Sequence, residues 1–127
     1  QDRPGDWYVH TSFCEINGLN DPSRADDARR FFAGSYRWLD LERDRSDRRH
    51  PNRIKVMGTF RDKGGKERTL HLGYLTRELA DELAREDLEM LWGRIRFIRF
   101  PRPDRKPQYW IRFDLMKRLA DDTFEKA

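Results

Sequence analysis

The sequence has few of the residues on which metal and redox chemistry depend. Its 127 residues include one cysteine and three histidines. The single cysteine, Cys14, excludes an internal disulfide and a cysteine-based zinc cluster, and it favours a reducing, intracellular setting. The histidines His10, His50 and His71 show none of the short spacings of a zinc site. We therefore expect no metal ligands and no cofactor.

Long apolar runs and the short signatures of common enzymes are also absent from the sequence. No apolar segment approaches the roughly 18 residues that a membrane span needs. There is no P-loop, no Gly-x-Ser-x-Gly and no Gly-x-Gly-x-x-Gly. The carboxylate pairs at 26–27, 86–87 and 121–122 fall in or beside predicted helices, where caps and solvated faces account for them. We therefore expect a protein that is not an enzyme and has no membrane partner.

Charge and aromatic rings are what the sequence has in quantity. Charged residues make up 39% of the chain, well above the usual quarter, whereas hydrophobic residues make up only 36%. The aromatic fraction of 13% compensates, because each aromatic side chain buries a large area. We expect a single folded domain over residues 1–127, with a loose leader at 1–6. The net charge of +4 is a mild bias, so the position of the bases matters more than their number.

Short stretches of alternating apolar and polar residues recur along the chain, separated by turn signals. They predict strands within 7–18, 36–43, 54–60, 69–74, 94–97 and 109–115. Helices are predicted near 23–33 and 76–85, with a third possible over 116–127. In this pattern Phe13 and Phe97 lie on the buried side of their strands. The sequence therefore predicts a mainly β fold with two to three short helices, in which about six strands form a small antiparallel OB-like barrel.

Basic residues alternate along the last two predicted strands. Arg94, Arg96 and Arg112 project from the face opposite the core, and Trp110 lies on the same face, where its ring can stack on a base. Such a face suits a nucleic-acid partner. The pattern alone favours the other interpretation, a solvated strand face whose charges protect a sheet edge.

The stretch from His50 to Ala84 resembles the HIRAN domain family. It contains PNRIKV from Pro51, a KGGK hairpin, and GYLTRELA at the next strand-to-helix junction, and LDLERD precedes it at 39–44. The resemblance extends over nearly the whole chain, from Tyr8 to Leu115. It implies an OB-like barrel with short helices. Members occur alone in bacteria or joined to Snf-type helicases and nucleases, and the best understood one holds the 3′ end of single-stranded DNA.

The resemblance implies a nucleic-acid-binding module, for single-stranded or end-containing DNA, that is accessory to a DNA repair or remodelling enzyme. DNA is the expected partner in preference to RNA. The alternative is a protein-interaction domain that docks a helicase or nuclease and binds no nucleic acid itself.

Four positions match those that bind DNA in the relatives: Asn52, Tyr74, Arg77 and Tyr109. Asn52, Tyr74 and Tyr109 each have a purely structural interpretation as well. Asn52 can bond its own backbone in a Pro-Asn turn, and the two tyrosine rings can belong to the core.

Two further positions depart from the family pattern. Arg49 and His50 stand where the end-binding relatives have a stacking aromatic and an aspartate for the 3′ hydroxyl. We expect both residues to contact nucleic acid, but with little discrimination for a free 3′ hydroxyl, because a histidine accepts through only one nitrogen.

Overall fold

Six antiparallel strands form one sheet in the computed structural model, which describes residues 5–100, 102, 104 and 108–119. The strands are β1 (Trp7–Cys14), β2 (Ser35–Arg43), β3 (Ile54–Arg61), β4 (Glu67–Tyr74), β5 (Leu91–Arg99) and β6 (Trp110–Arg118). Their order in the sheet is β1-β6-β5-β2-β3-β4. The helices are α1 (Ala25–Ala33) and α2 (Arg77–Glu82), with 3₁₀ turns at Pro22–Arg24 and Leu88–Met90. The predicted mainly antiparallel β fold with six strands and few short helices is confirmed.

The sheet is not closed into a barrel, because β1 and β4 are its two edge strands. The chain just after β1 nevertheless reaches the end of β4 through an isolated antiparallel bridge. In this bridge the Asn17 N–H donates to the Tyr74 carbonyl at 2.8 Å, and the Tyr74 N–H donates to the Asn17 carbonyl at 2.9 Å. Gly73 permits the approach, since a Cβ there would lie 2.3 Å from the Asn17 carbonyl oxygen.

Side-chain caps are present at the start of α2 and of the 3₁₀ turn that precedes α1. Thr76 caps α2 by accepting a hydrogen bond from the Leu79 N–H, as the sequence predicts. The α1 helix begins at Ala25 and not at Ser23, because Asp21 accepts the Ser23 N–H and starts a 3₁₀ turn first. The α2 helix ends at Glu82, earlier than the predicted boundary near 85.

One apolar core joins both helices to the inner face of the sheet. Its fully buried members include Phe31, Leu39, Val56, Leu72 and Phe113. Burial of each such side chain stabilises the fold by about 2 kcal/mol relative to exposure.

The possible helix from residue 116 is wrong over 116–118, because β6 continues to Arg118. There Met116 pairs with Val9 of β1 on one side and with Trp92 of β5 on the other. Met116 and Trp92 are buried, and the Trp7 ring meets Trp92 edge-on at 5.8 Å. Pairing with two strands overrides the local helical pattern. Residues 120–127, and 1–4 of the expected leader, lie outside the described residues.

The sequence pattern places Tyr8, Val9, Phe13 and Phe97 on the buried side of their strands, but all four side chains are exposed. Phe97 is 48% exposed because β5 has an extra residue between Ile95 and Phe97, and such a bulge reverses the inward and outward positions that follow it. Phe13 is 66% exposed near the end of β1, within the register shift between Thr11 and Cys14.

Candidate functional site

A cleft of about 470 Å³ lies where three segments that are distant in sequence meet. The segments are the turn at 17–24, the loop at 44–53 and the junction between β4 and α2. Four of the predicted site residues, His50, Asn52, Tyr74 and Arg77, line this cleft. The structure therefore brings together residues that the sequence could only place on separate elements.

The loop at 44–53 is shaped by two aspartates. Asp44 is buried and accepts the N–H and the hydroxyl of Ser46, and these bonds hold its pKa below the ordinary value. Asp47 accepts the N–H of Arg49 at 2.9 Å, and its carbonyl accepts the N–H of His50. These turns place His50 at the cleft. The Arg49 side chain is exposed and is not among the groups that line the cleft.

Two arginines lie over the half-buried ring of Tyr74. The guanidinium carbon of Arg53 is 3.5 Å from the ring centroid, and that of Arg24 is 5.5 Å away. His71 meets the same ring edge-on at 4.9 Å. Tyr74 is therefore neither a fully buried core residue nor a bare stacking surface. The plane offered to a ligand is the Arg53 guanidinium, which can itself stack on a base.

Arg24 is fixed by the turn that it supports. Its Nη2 donates to the Gly18 carbonyl at 2.9 Å and lies 3.4 Å from Asp21 Oδ2. The backbone and hydroxyl of Ser23 and the charge of Arg24 lower the pKa of Asp21. Asp21 is thus ionised at neutral pH and already has its partners.

The other charged side chains of the cleft have fewer or longer contacts than Arg24 and Asp21. Arg53 makes one long contact with Asp47, at 3.5 Å. Asn52 does not bond its own turn through its side chain but donates to Asp81 of α2 at 3.1 Å. Within the described part of the chain, Arg77 is exposed and has no ion-pair partner. Arg53 and Arg77 are therefore the cations most able to take an anionic ligand.

A second surface, called the outer face here, is the side of β5, β6 and the end of β1 turned away from the core. Arg94 and Arg96 both reach Asp114, at 3.5 and 3.4 Å, and Asp114 is only 4% exposed. Arg112 lies 2.6 Å from Glu15. All three arginines predicted to bind phosphates are thus paired with carboxylates.

The aromatic residues of this region differ in how available they are. The half-buried ring of Trp110 has Arg112 at 4.7 Å and Arg99 at 5.4 Å. Tyr109 is half-buried and packs on Phe32, with ring centroids 4.5 Å apart. The core interpretation of Tyr109 therefore fits its ring, whereas Trp110 is an outer-face residue as predicted.

A second depression, of about 400 Å³, joins the cleft to the outer face. Trp110 and Arg112 line it, and it shares Asn17, Gly18 and Asp21 with the cleft. The predicted site residues thus fall on two neighbouring surfaces. Arg24 and Arg53 belong to the cleft although no sequence signal marked them.

The described residues give little support for a metal site, a reactive thiol or a membrane span. They contain no group of three or more His, Cys, Asp or Glu arranged to hold a metal ion. Burial raises the pKa of the Cys14 thiol to about 11, so it is protonated and unreactive at neutral pH. Within these same residues no helix has the length and apolar character to cross a membrane.

Comparison with known proteins gives no match: no family model, no curated protein and no solved structure is significantly similar to this chain. What the chain binds must therefore be inferred from the cleft and the outer face.

Proposed function

We propose that the protein is a non-enzymatic module that binds single-stranded nucleic acid, DNA in preference to RNA, in the cleft. The observation that carries the proposal is the convergence of Arg24, Arg53 and Arg77, from three distant segments, on one cleft, where Arg24 and Arg53 lie over the ring of Tyr74. Arginines beside an aromatic ring combine phosphate binding with base stacking, which is how proteins hold unpaired strands.

Each arginine has a distinct role in this proposal. Arg77, which has no ion-pair partner among the described residues, binds a phosphate directly. Arg53 exchanges its long contact with Asp47 for a phosphate, and its plane lies between Tyr74 and a base. Arg24 is a positioning residue, because its bond to the Gly18 carbonyl holds the turn against the cleft.

We also propose that the fold is a HIRAN-like relative of the OB barrel, acting inside the cell as an accessory to a DNA repair or remodelling enzyme. The bridge between Asn17 and Tyr74 supports the first part, since it connects the two edges of the sheet at one point. The PNRIKV and GYLTRELA segments support the second.

The proposal is tested by fluorescence anisotropy with single-stranded oligonucleotides over a series of salt concentrations. We expect weak binding that falls steeply with salt, because each neutralised phosphate contributes about 0.7 to the negative slope. A duplex of the same sequence is the control and should bind less tightly. Absence of binding at low salt, or an affinity that does not change with salt concentration, would contradict the proposal.

A competition between 3′ hydroxyl and 3′ phosphate ends tests the expected lack of end discrimination. We expect similar affinities, or a preference for the phosphate, because Arg53 and Arg77 dominate the cleft. Asp81 is the carboxylate that could instead accept a hydroxyl, since Asn52 is its one side-chain partner among the described residues. A preference for the hydroxyl that Asp81→Asn removes would show that Asp81 provides this end site.

A protein-interaction domain that docks a helicase or nuclease is the second candidate. The exposure of Phe13 and Phe97 on the outer face favours it, because exposed phenyl rings also suit a protein partner. In that case the oligonucleotide titration would show no binding at any salt concentration.

A further inference from the structure

The outer face carries two phenyl rings that the fold does not bury. Phe13 is 66% exposed and Phe97 is 48% exposed. The N–H of Phe13 donates to Asp114 at 3.3 Å, and Phe97 is the register partner of Arg112. Asp114 and Arg112 both belong to β6, and β1 and β5 are its two neighbours. The two rings therefore flank the same strand.

Phe13 has an unfavourable backbone conformation for its residue type. Its φ is 55°, in the left-handed region that glycine adopts easily and bulky residues adopt at a cost. Strained residues of this kind concentrate at binding sites. A strained residue that exposes most of its side chain gains little from packing, so its ring is a candidate for contact with a ligand.

The charges around the rings favour a nucleic acid over other partners. Arg94 and Arg96 contact Asp114, and Arg112 contacts Glu15 and lies opposite Phe97 in the sheet. Guanidinium groups and phenyl rings thus lie side by side on this face. This arrangement fits a chain that alternates bases with phosphates.

The outer face is also continuous with the cleft. The depression beside Trp110 and Arg112 shares its wall at Asn17, Gly18 and Asp21 with the cleft. A strand in the cleft thus has a path along this wall to β6.

We propose that a single strand held in the cleft continues past Trp110 onto the outer face, where Phe13 and Phe97 stack unpaired bases. This inference rests on the proposed function and extends its footprint to a second surface. Stacking on phenyl rings is independent of sequence, because every base has a π-face.

The test compares a short oligothymidylate of about 4 nucleotides with a long one of about 12, which bracket the usual footprints of such modules. Phe13→Gly and Phe97→Ala should each weaken binding of the long strand about tenfold, the loss expected for one stacked base. Neither should change binding of the short strand. Phe13→Gly should keep or raise the melting temperature, because glycine suits the positive φ.

Tyr36→Ala is the matched control. Tyr36 is 50% exposed, has a φ of 52° and lies under Arg61 at 5.0 Å, but it belongs to β2, which does not border β6. It should bind both strands as the wild type does.

Two results would overturn the inference while leaving the proposed function intact. In the first, both phenylalanine variants bind the long strand as tightly as the wild type, which would indicate that the rings contact a protein partner instead. The other is an equal loss for short and long strands, which would place the rings in the cleft site itself. If the wild type binds neither strand, the proposed function fails and the inference fails with it.

Discussion

The cleft and the outer face hold their arginines in opposite ways. In the cleft, Arg53 lies on the Tyr74 ring with one long ion-pair contact, and Arg77 has no such contact with any described residue. On the outer face, Arg94 and Arg96 share the buried carboxylate of Asp114. The positive charge that a surface offers to a ligand thus depends on how its arginines are paired. A count of the arginines along a strand overestimates this charge.

Their aromatic rings show the reverse difference. The cleft ring of Tyr74 is covered by arginine, whereas Phe13 and Phe97 of the outer face are open to solvent. We infer that the cleft contributes mainly charge to binding and that the outer face contributes mainly stacking. Substitutions that alter one surface at a time separate these two contributions.

Gly73→Ala should have the largest effect, because it acts on the bridge that borders the cleft. The added Cβ would lie 2.3 Å from the Asn17 carbonyl oxygen, so the backbone at Asn17 must move and the bridge to Tyr74 must break. We expect the free energy of unfolding to fall by about 3 kcal/mol, from overpacking and two lost hydrogen bonds. Urea unfolding measures the loss, and oligonucleotide binding should disappear with it.

The control for this change is Gly64→Ala. Gly64 is in the exposed hairpin between β3 and β4, where a Cβ would be 3.4 Å from the Asp62 carboxylate. It should leave stability and binding unchanged. A stable Gly73→Ala variant with an intact cleft would contradict the role given to the bridge.

Arg53→Ala should weaken binding of a short single strand about tenfold, because one stacked guanidinium and one phosphate contact are lost. Arg53→Lys should recover part of the loss, since lysine keeps the charge but not the plane. Arg68→Ala, which breaks a comparable exposed pair with Asp62 at 3.0 Å, is the control. Anisotropy titrations measure all three, and equal affinities for Arg53→Ala and Arg68→Ala would remove Arg53 from the site.

Replacing Arg94, Arg96 and Arg112 together by alanine should change the salt dependence only modestly. Three free arginines would contribute about 2 to the negative slope of log affinity against log salt. Here each of the three already contacts a carboxylate, Asp114 or Glu15, so we expect the slope to flatten by about 0.7 at most. Titrations of a long strand at several salt concentrations measure it. A flattening near 2 would show that the strand displaces both carboxylates.

The smallest effect should be a decrease in the free energy of unfolding at acidic pH, caused by His71, which packs on the Tyr74 ring. Burial lowers the pKa of His71 from 6.5, Arg24 and Lys55 lower it further, and the Gly73 carbonyl and Asp44 oppose them. The unfolded chain therefore binds a proton at a higher pH than the folded one, and stability falls as pH drops below about 6.5. The urea midpoint of the wild type should be lower at pH 5 than at pH 7.5, and His71→Gln should make this difference smaller. An unchanged shift would exclude His71 as its source.

Local patterns predicted what local interactions determine. Thr76 caps α2 and follows directly from β4, so the placement of Tyr74 and Arg77 near each other could be read from the sequence. Arg24 could not be recognised, because its turn is joined to β4 by the long-range bridge between Asn17 and Tyr74. No sequence signal placed Arg53 over the Tyr74 ring. The exposed position of Phe97 depends on a one-residue bulge that no turn residue marks.

The same limit explains the two remaining differences. Whether Arg94 and Arg96 are free depends on Asp114, a residue on another strand. The end of β6 pairs with β1, at the opposite end of the chain, and this pairing outweighs a helical pattern at Met116. Pairing between distant segments is decided by the whole sheet, which a local pattern does not contain.

The most direct test of the central claim is a titration of isotope-labelled protein with a short single-stranded oligonucleotide, followed by NMR amide shifts. Binding in the cleft predicts shifts at Gly18, Arg53, Tyr74 and Arg77 that saturate with one affinity, while the amide of Phe97 on the outer face stays in place. Shifts confined to the outer face, or no shifts at low salt, would contradict the claim that the cleft is the primary site.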